Sequence, residues 1–294
     1  VLVEQILNGI VLGSLYALIA QGYTLVFGVL DKLNFAHGEV FMLGGYIAVA
    51  SAALGLPLPL ALVLAMAVCA VVGILVELVS FRKFHSHDAH ITAALSSFAV
   101  GLVMIDLVQK GWGTEPIAIA VPEGLNLVNL EVLGVRFSAV KLAILIVATS
   151  LMLGLHLTIA RTALGRAVRA VSESPSAASL YGINVVRTIQ IVFGLASAMA
   201  GIAGAALALR TGFASPDIGF TLGLKALAIM AIGGMGDLRG AFLGGLLIGV
   251  FEALAFHWGL GQIADTGVWL IMIAVLLLRP RGLFATVASR EVRA

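Results

Sequence analysis

The chain has 294 residues, 61% hydrophobic and 11% charged, with a mean hydropathy of +1.12 and a net charge of +2. A soluble domain carries about 25% charged residues, so this composition belongs to an integral membrane protein, and the small net charge gives nucleic acid no footing. The single cysteine, Cys69, lies in an apolar run, has no internal partner and leaves the redox compartment undefined.

Apolar segments recur at 5–29, 35–54, 58–81, 91–109, 140–160, 187–210, 219–234, 239–257 and 264–279. Each approaches the roughly 20 residues that a helix needs to cross a bilayer. They predict an all-α, polytopic membrane helical bundle of about 8–10 spans, with residues 1–294 forming one membrane domain. The first segment, Ile6 to Val29, is longer than a signal-peptide core and has no basic leader, so it is expected to be a membrane helix.

Next in order comes Asp31-Lys32-Leu33-Asn34-Phe35-Ala36-His37-Gly38-Glu39, followed by Met42-Leu43-Gly44-Gly45-Tyr46. Ionisable groups in or beside a span are expensive and commonly mark a transport pathway, which makes Asn34, Phe35, His37 and Glu39 candidate pathway residues. Gly38 and the Gly44-Gly45 pair allow a discontinuous helix or a close helix approach. The same segment also reads as a short cytoplasmic loop. His37 and Glu39, two residues apart, do not share a helical face, and no metal site is predicted.

Glu77, Asp106 and His156 lie near predicted span ends, where snorkelling or interfacial placement is expected. Lys110 to Lys141, with Pro116, Pro122, Gly124, Asn126 and Asn129, reads as an external loop containing short extended pieces.

Arg161 to Arg187 is a basic, helix-forming island. Arg161, Arg166 and Arg169 are expected to project from the end of a helix leaving the membrane, with Ala163, Ala167, Ala170 and Val171 as its small-residue face. Ser174 is suited to cap a second helix, Pro175 to open it and Gly182 to lie just past it, giving about two turns over Pro175 to Tyr181. Ala177, Ala178 and Leu180 would then be available for contact. So short a helix is marginal alone and needs a partner subunit or anionic lipid headgroups to lie against.

Gly233-Gly234-Met235-Gly236-Asp237-Leu238-Arg239-Gly240 precedes Leu243-Gly244-Gly245 and Gly249. Gly240 with Gly244, and Gly245 with Gly249, form small-xxx-small pairs that predict tight helix packing. Leu43-Gly44-Gly45 recurs as Leu243-Gly244-Gly245, a hint of two related halves. Glu252 lies well inside its apolar segment and is expected to face the interior. No lysine stands in a Gly-Lys-Ser/Thr sequence, and no zinc-protease or nucleophile-elbow motif is present, so the chain reads as non-enzymatic. Placing the basic island inside also puts Lys32, Arg82, Lys83, Arg239, Arg279, Arg281, Arg290 and Arg293 inside, which predicts a cytoplasmic C-terminus.

Asn34 to Glu39, Asn8-Gly9 with Gly13-Ser14-Leu15-Tyr16-Ala17-Leu18, Gly165-Arg166-Ala167 through Tyr181-Gly182-Ile183-Asn184, and Gly233-Gly234-Met235-Gly236 together resemble one family. It is the LivH-type membrane permease of bacterial branched-chain amino acid ABC transporters, and the resemblance runs from Val1 to about Phe284. It implies an inner-membrane subunit working with a second permease (LivM type), two cytoplasmic ATPases (LivG and LivF type) and a periplasmic binding protein. ATP and Mg would bind the ATPases and no cofactor this chain. The resemblance implies that the basic island is a cytoplasmic coupling loop, with Gly165, Arg166, Ala167, Arg169, Glu173, Pro175, Ala177, Ala178 and Gly182 as its candidate residues. A reading from another class is a secondary transporter or channel using Asp31, His37 and Glu39 as an ion relay, which predicts gradient-driven uptake by this chain alone.

Overall fold

The computed structural model describes residues 2–84, 89–119, 129–132 and 135–284. Pro122, Gly124 and Asn126 of the expected external loop, and Arg290 and Arg293 near the C-terminus, lie outside the described residues.

In lipid, backbone polar groups must be satisfied within the chain itself, so long apolar runs resolve as helices. The helices are α1 (Leu2–Leu30), α2 (His37–Ala53), α3 (Leu58–Val76), α4 (His90–Trp112), α5 (Ala139–Arg161), α6 (Ala163–Glu173), α7 (Pro175–Leu180), α8 (Val185–Thr211), α9 (Ile218–Gly233), α10 (Leu238–His257) and α11 (Ala264–Leu278). α3 continues into a π-helical turn, Glu77–Phe81, and a 3-10 turn, Gly261–Ile263, leads into α11. Among the described residues, seven helices are long and apolar enough to cross a membrane. α2 and α9, with 17 and 16 residues, are the short segments of the bundle. Between α4 and α5 the chain does contain short extended pieces: β1 (Ile117–Ala118) pairs antiparallel with β4 (Phe213–Ala214), and β2 (Asn129–Val132) with β3 (Val135–Ser138).

α1 and α8 form the centre. Within their most apolar stretches 83% and 89% of residues are buried, against 22% for α4 and α5 and 11% for α11. A helix that is apolar all round belongs in such a core or against lipid, and here packing decides which. α1 lies chiefly along α10, and α8 along α3 and α2. α1 and α10 run antiparallel, since Gly9 meets Val250 and Ala253 while Gly13 meets Gly245 and Leu246.

The two halves are related in a different register from the Leu43 and Leu243 match. One constant shift carries the end of α1 at Leu30 onto the end of α8 at Thr211, and the start of α2 at His37 onto the start of α9 at Ile218. The same shift carries Asp31 (φ +54°) onto Gly212 (φ +83°) and Gly55 (φ +68°) onto Gly236 (φ +89°). Equivalent turns thus use the same left-handed backbone. Gly44 lies on α2 and Gly244 on α10, the second helix of one half and the third of the other, so their sequence match is not a structural equivalence.

Candidate translocation and coupling sites

The chain leaves α1 at Asp31 and re-enters the bundle before α2 begins. Lys32 reaches back to the Phe84 carbonyl, and burial lowers its ammonium pKa below the ordinary lysine value. Ser97 of α4 accepts the Phe35 N–H at 3.0 Å and fixes the turn. Asn34, His37 and Glu39 are all buried, at 2%, 0% and 4% exposure, so the connection between α1 and α2 packs into the bundle. Phe35 is half-buried and stacks edge-on with Phe98 at 6.3 Å. The His37 ring packs edge-on to Tyr23 at 4.6 Å and against Gly22. Asn34 Oδ1 and Glu39 Oε2 have no hydrogen-bond partner among the described residues.

The first turns of α2 and α9 lie against each other at this level. Gly38 packs on Gly219 and Gly223, so closely that neither Gly38 nor Gly219 has room for a Cβ, and the Glu39 carboxylate lies beside Gly219. Two helix N-termini, each a positive dipole end, therefore converge on one buried carboxylate.

A second polar cluster sits among α1, α9, α10 and α11. Lys225 donates to Glu252 at 2.6 Å and to Asp265 at 2.8 Å, and the Tyr16 hydroxyl donates to the other Glu252 oxygen at 2.6 Å. Glu252 faces inward, as expected, and is fully engaged. Lys225 and Asp265 carry no role in the sequence analysis, and Tyr16 enters it only within the stretch that bears the family resemblance. A usable signal was present, because a lysine and a glutamate each lie mid-way along apolar segments and such charges are stable there only when paired. Glu77 does not snorkel. It is buried and paired with Arg82 at 3.0 Å, because the π-helical turn brings the fifth residue onward over it. Asp106 does stay exposed, in an ion pair with Lys110 at 2.7 Å.

The basic island is two helices. α6 does not continue α5: Thr162 breaks the chain and caps α6, its hydroxyl accepting from Gly165 N at 3.3 Å. The buried face of α6 is Gly165, Val168 and Val171, while Ala163 is exposed and Ala167 and Ala170 are half-buried. Gly165 packs on the Ile159 backbone, and Arg169 donates back to the Ile159 carbonyl. α7 has the expected caps, with Ser174 Oγ accepting from Ala177 N at 3.2 Å and Gly182 at φ +79°. Ala178, expected to be available for contact, is buried because it closes the inner side of α7. Arg166, Glu173, Pro175, Ala177 and Gly182 are exposed. The tip of the island is apolar: Leu180 and Tyr181 are 87% and 88% exposed. Behind it, a cleft of about 610 Å³ opens between α6–α7 and the bundle, lined in part by Asp31, Lys32, Glu77, His90 and Glu173.

Residues 5–278 match the family described as the permease component of the branched-chain amino acid transport system. The chain belongs to this permease family. It is 36% identical to the high-affinity branched-chain amino acid transport system permease protein BraD of Pseudomonas aeruginosa and 35% identical to LivH of Escherichia coli, in both cases over 95% of this chain and 94% of the relative. The probable branched-chain amino acid transport permease protein LivH of Methanocaldococcus jannaschii is 28% identical over 95% of this chain and 92% of that protein. No solved structure matches the chain.

In this family member the glycines of α10 serve two opposite faces. Gly240 and Gly244 meet Gly233 and Ile229 of α9, whereas Gly245 and Gly249 meet Ala17 and Gly13 of α1. A Cβ at Gly245 would come within 2.6 Å of the Ala17 backbone. Gly44 packs on Gly201 of α8 and Gly45 makes ordinary contact with Gly204 and Ala208. With no hydrophobic effect between helices in lipid, this close backbone approach is what gains dispersion energy.

Proposed function

We propose that this chain is a membrane permease subunit of an ABC importer that translocates branched-chain, aliphatic amino acids or related small polar solutes. A periplasmic binding protein delivers the solute, and ATP hydrolysis on partner subunits drives the movement. The observation that carries the reading is similarity to permeases of this transport system along nearly the whole chain. In this reading the partners are a second permease of the LivM type and two ATPases of the LivG and LivF type, which hold ATP and Mg. The protein sits in the bacterial inner membrane with the α6–α7 loop and the C-terminus cytoplasmic. The exposed Leu180–Tyr181 tip is the kind of apolar, well-capped element that docks in a groove of a partner. Closure of the ATPase dimer moves α6 and α7 as a rigid lever, and the paired permeases switch between outward and inward openings.

The complete transporter, purified through a tag on this chain and reconstituted, tests the proposal. Gly182→Pro cannot adopt the positive φ that ends α7, and Arg166→Glu reverses an exposed charge on α6. Both variants should remain inserted yet lose binding-protein stimulation of ATP hydrolysis by tenfold or more. Normal stimulation in both would sink the coupling role. Recovery of this chain without ATPases, with uptake driven by an ion gradient alone, would establish the secondary-transporter reading instead.

A further inference from the structure

The Glu39 carboxylate lines a narrow cleft between α2, α4 and α9, together with Tyr23, Phe35, Phe98, Gly101, Gly219 and Phe220. Its free space is about 20 Å³. That is room for one group the size of a water molecule. Glu39 is 4% exposed, and its Oε2 has no hydrogen-bond partner among the described residues. Among the described residues, no basic side chain lines the cleft. A buried carboxylate without a partner is costly, so a fold that keeps one commonly has a use for it. Two features hold it in place: it stands in the first turn of α2 and beside the first turn of α9, where both helix dipoles favour negative charge.

From these contacts we infer that Glu39 is the binding group for the α-ammonium of a zwitterionic amino acid in transit. The inference rests on the importer reading and names its ligand chemistry. Four aromatic rings line the cleft around the carboxylate, and an ammonium is drawn both to the carboxylate and to ring faces. The available volume fits the ammonium head and nothing larger, so the aliphatic part must lie outward, where Phe98, Leu102 and Phe220 are 38%, 50% and 50% exposed. The site thus presents a charged floor and an apolar rim in the order in which an aliphatic amino acid carries its head and tail. Gly38, Gly101, Gly219 and Gly223 surround the floor with backbone and leave the carboxylate as its one charged group among the described residues.

The test uses the complete transporter in liposomes with leucine, its binding protein and internal ATP. Two quantities are read, leucine uptake and binding-protein-stimulated ATP hydrolysis, in wild type, Glu39→Gln and Glu39→Asp. The expected result is uptake at least tenfold lower in Glu39→Gln with ATP hydrolysis within twofold of wild type, and partial recovery of uptake in Glu39→Asp. Uptake within twofold of wild type in Glu39→Gln overturns the inference, because a neutral amide would then serve as well as the charge. Loss of both quantities in both variants also overturns it and assigns Glu39 to packing. A wild-type protein that shows no ATP-dependent uptake defeats the importer reading itself, so the two failures are distinct.

Discussion

Around Lys225 each buried charge meets an opposite charge or a hydroxyl, whereas around Glu39 the carboxylate oxygen and the Asn34 amide oxygen meet no donor among the described residues. Both clusters lie within the same apolar bundle and both involve α9. The Lys225 cluster ties that helix to α1, α10 and α11, and its members complete one another. The Glu39 cluster sits where two helix N-termini converge and is left incomplete. Buried polar groups that satisfy each other specify packing; those left open are available to something that passes.

The largest expected effect is at the closed cluster. Glu252→Leu leaves Lys225 with only the largely exposed Asp265 and strips the Tyr16 hydroxyl of its acceptor. Removing one member of a buried pair costs about 3–5 kcal/mol, so the detergent-purified protein should unfold at a markedly lower temperature. The joint change Lys225→Met with Glu252→Leu should recover most of that loss. Glu39→Gln, by contrast, removes no hydrogen bond seen among the described residues and relieves an unpartnered buried carboxylate, so its unfolding temperature should be at or above that of wild type. If both single variants proved equally destabilised, the contrast between the clusters would fail.

Smaller effects sharpen the same contrast away from the membrane interior. Ser174→Ala removes the cap of α7 and should cost about 1 kcal/mol locally, read as faster hydrogen exchange at the Ala177 amide with global unfolding unchanged. The exposed Asp106–Lys110 pair marks the lower limit. Asp106→Asn should change stability by less than about 0.5 kcal/mol, within the error of a thermal scan, because solvent screens the charges and the side chains lose freedom in pairing.

What could be read before the fold was known followed the range of the interactions. The nine apolar segments and the caps of α7 depend on residues a few positions apart, and Ser174, Pro175 and Gly182 specify their helix by local hydrogen bonding and backbone conformation. The glycines of α10 could be assigned to packing, but not to a partner: Gly244 faces α9 and Gly245 faces α1, a difference of one residue around a helix whose rotation depends on its neighbours. Ala178 was misplaced for the same reason, since a two-turn helix with small residues on several sides does not declare which side it buries.

Composition and local pattern by themselves determined a polytopic helical membrane protein, its apolar segments and the capped helix of its basic island, because cost in lipid and local propensity are properties of neighbouring residues. Only the tertiary structure decided that α1 and α8 are central while α4, α5 and α11 face outward, since all are apolar enough for either place. It alone brought Tyr16 to Glu252 and α2 to α9, contacts between residues far apart in the chain whose geometry is set by how whole helices pack. Those long-range contacts leave one buried carboxylate satisfied and the other open.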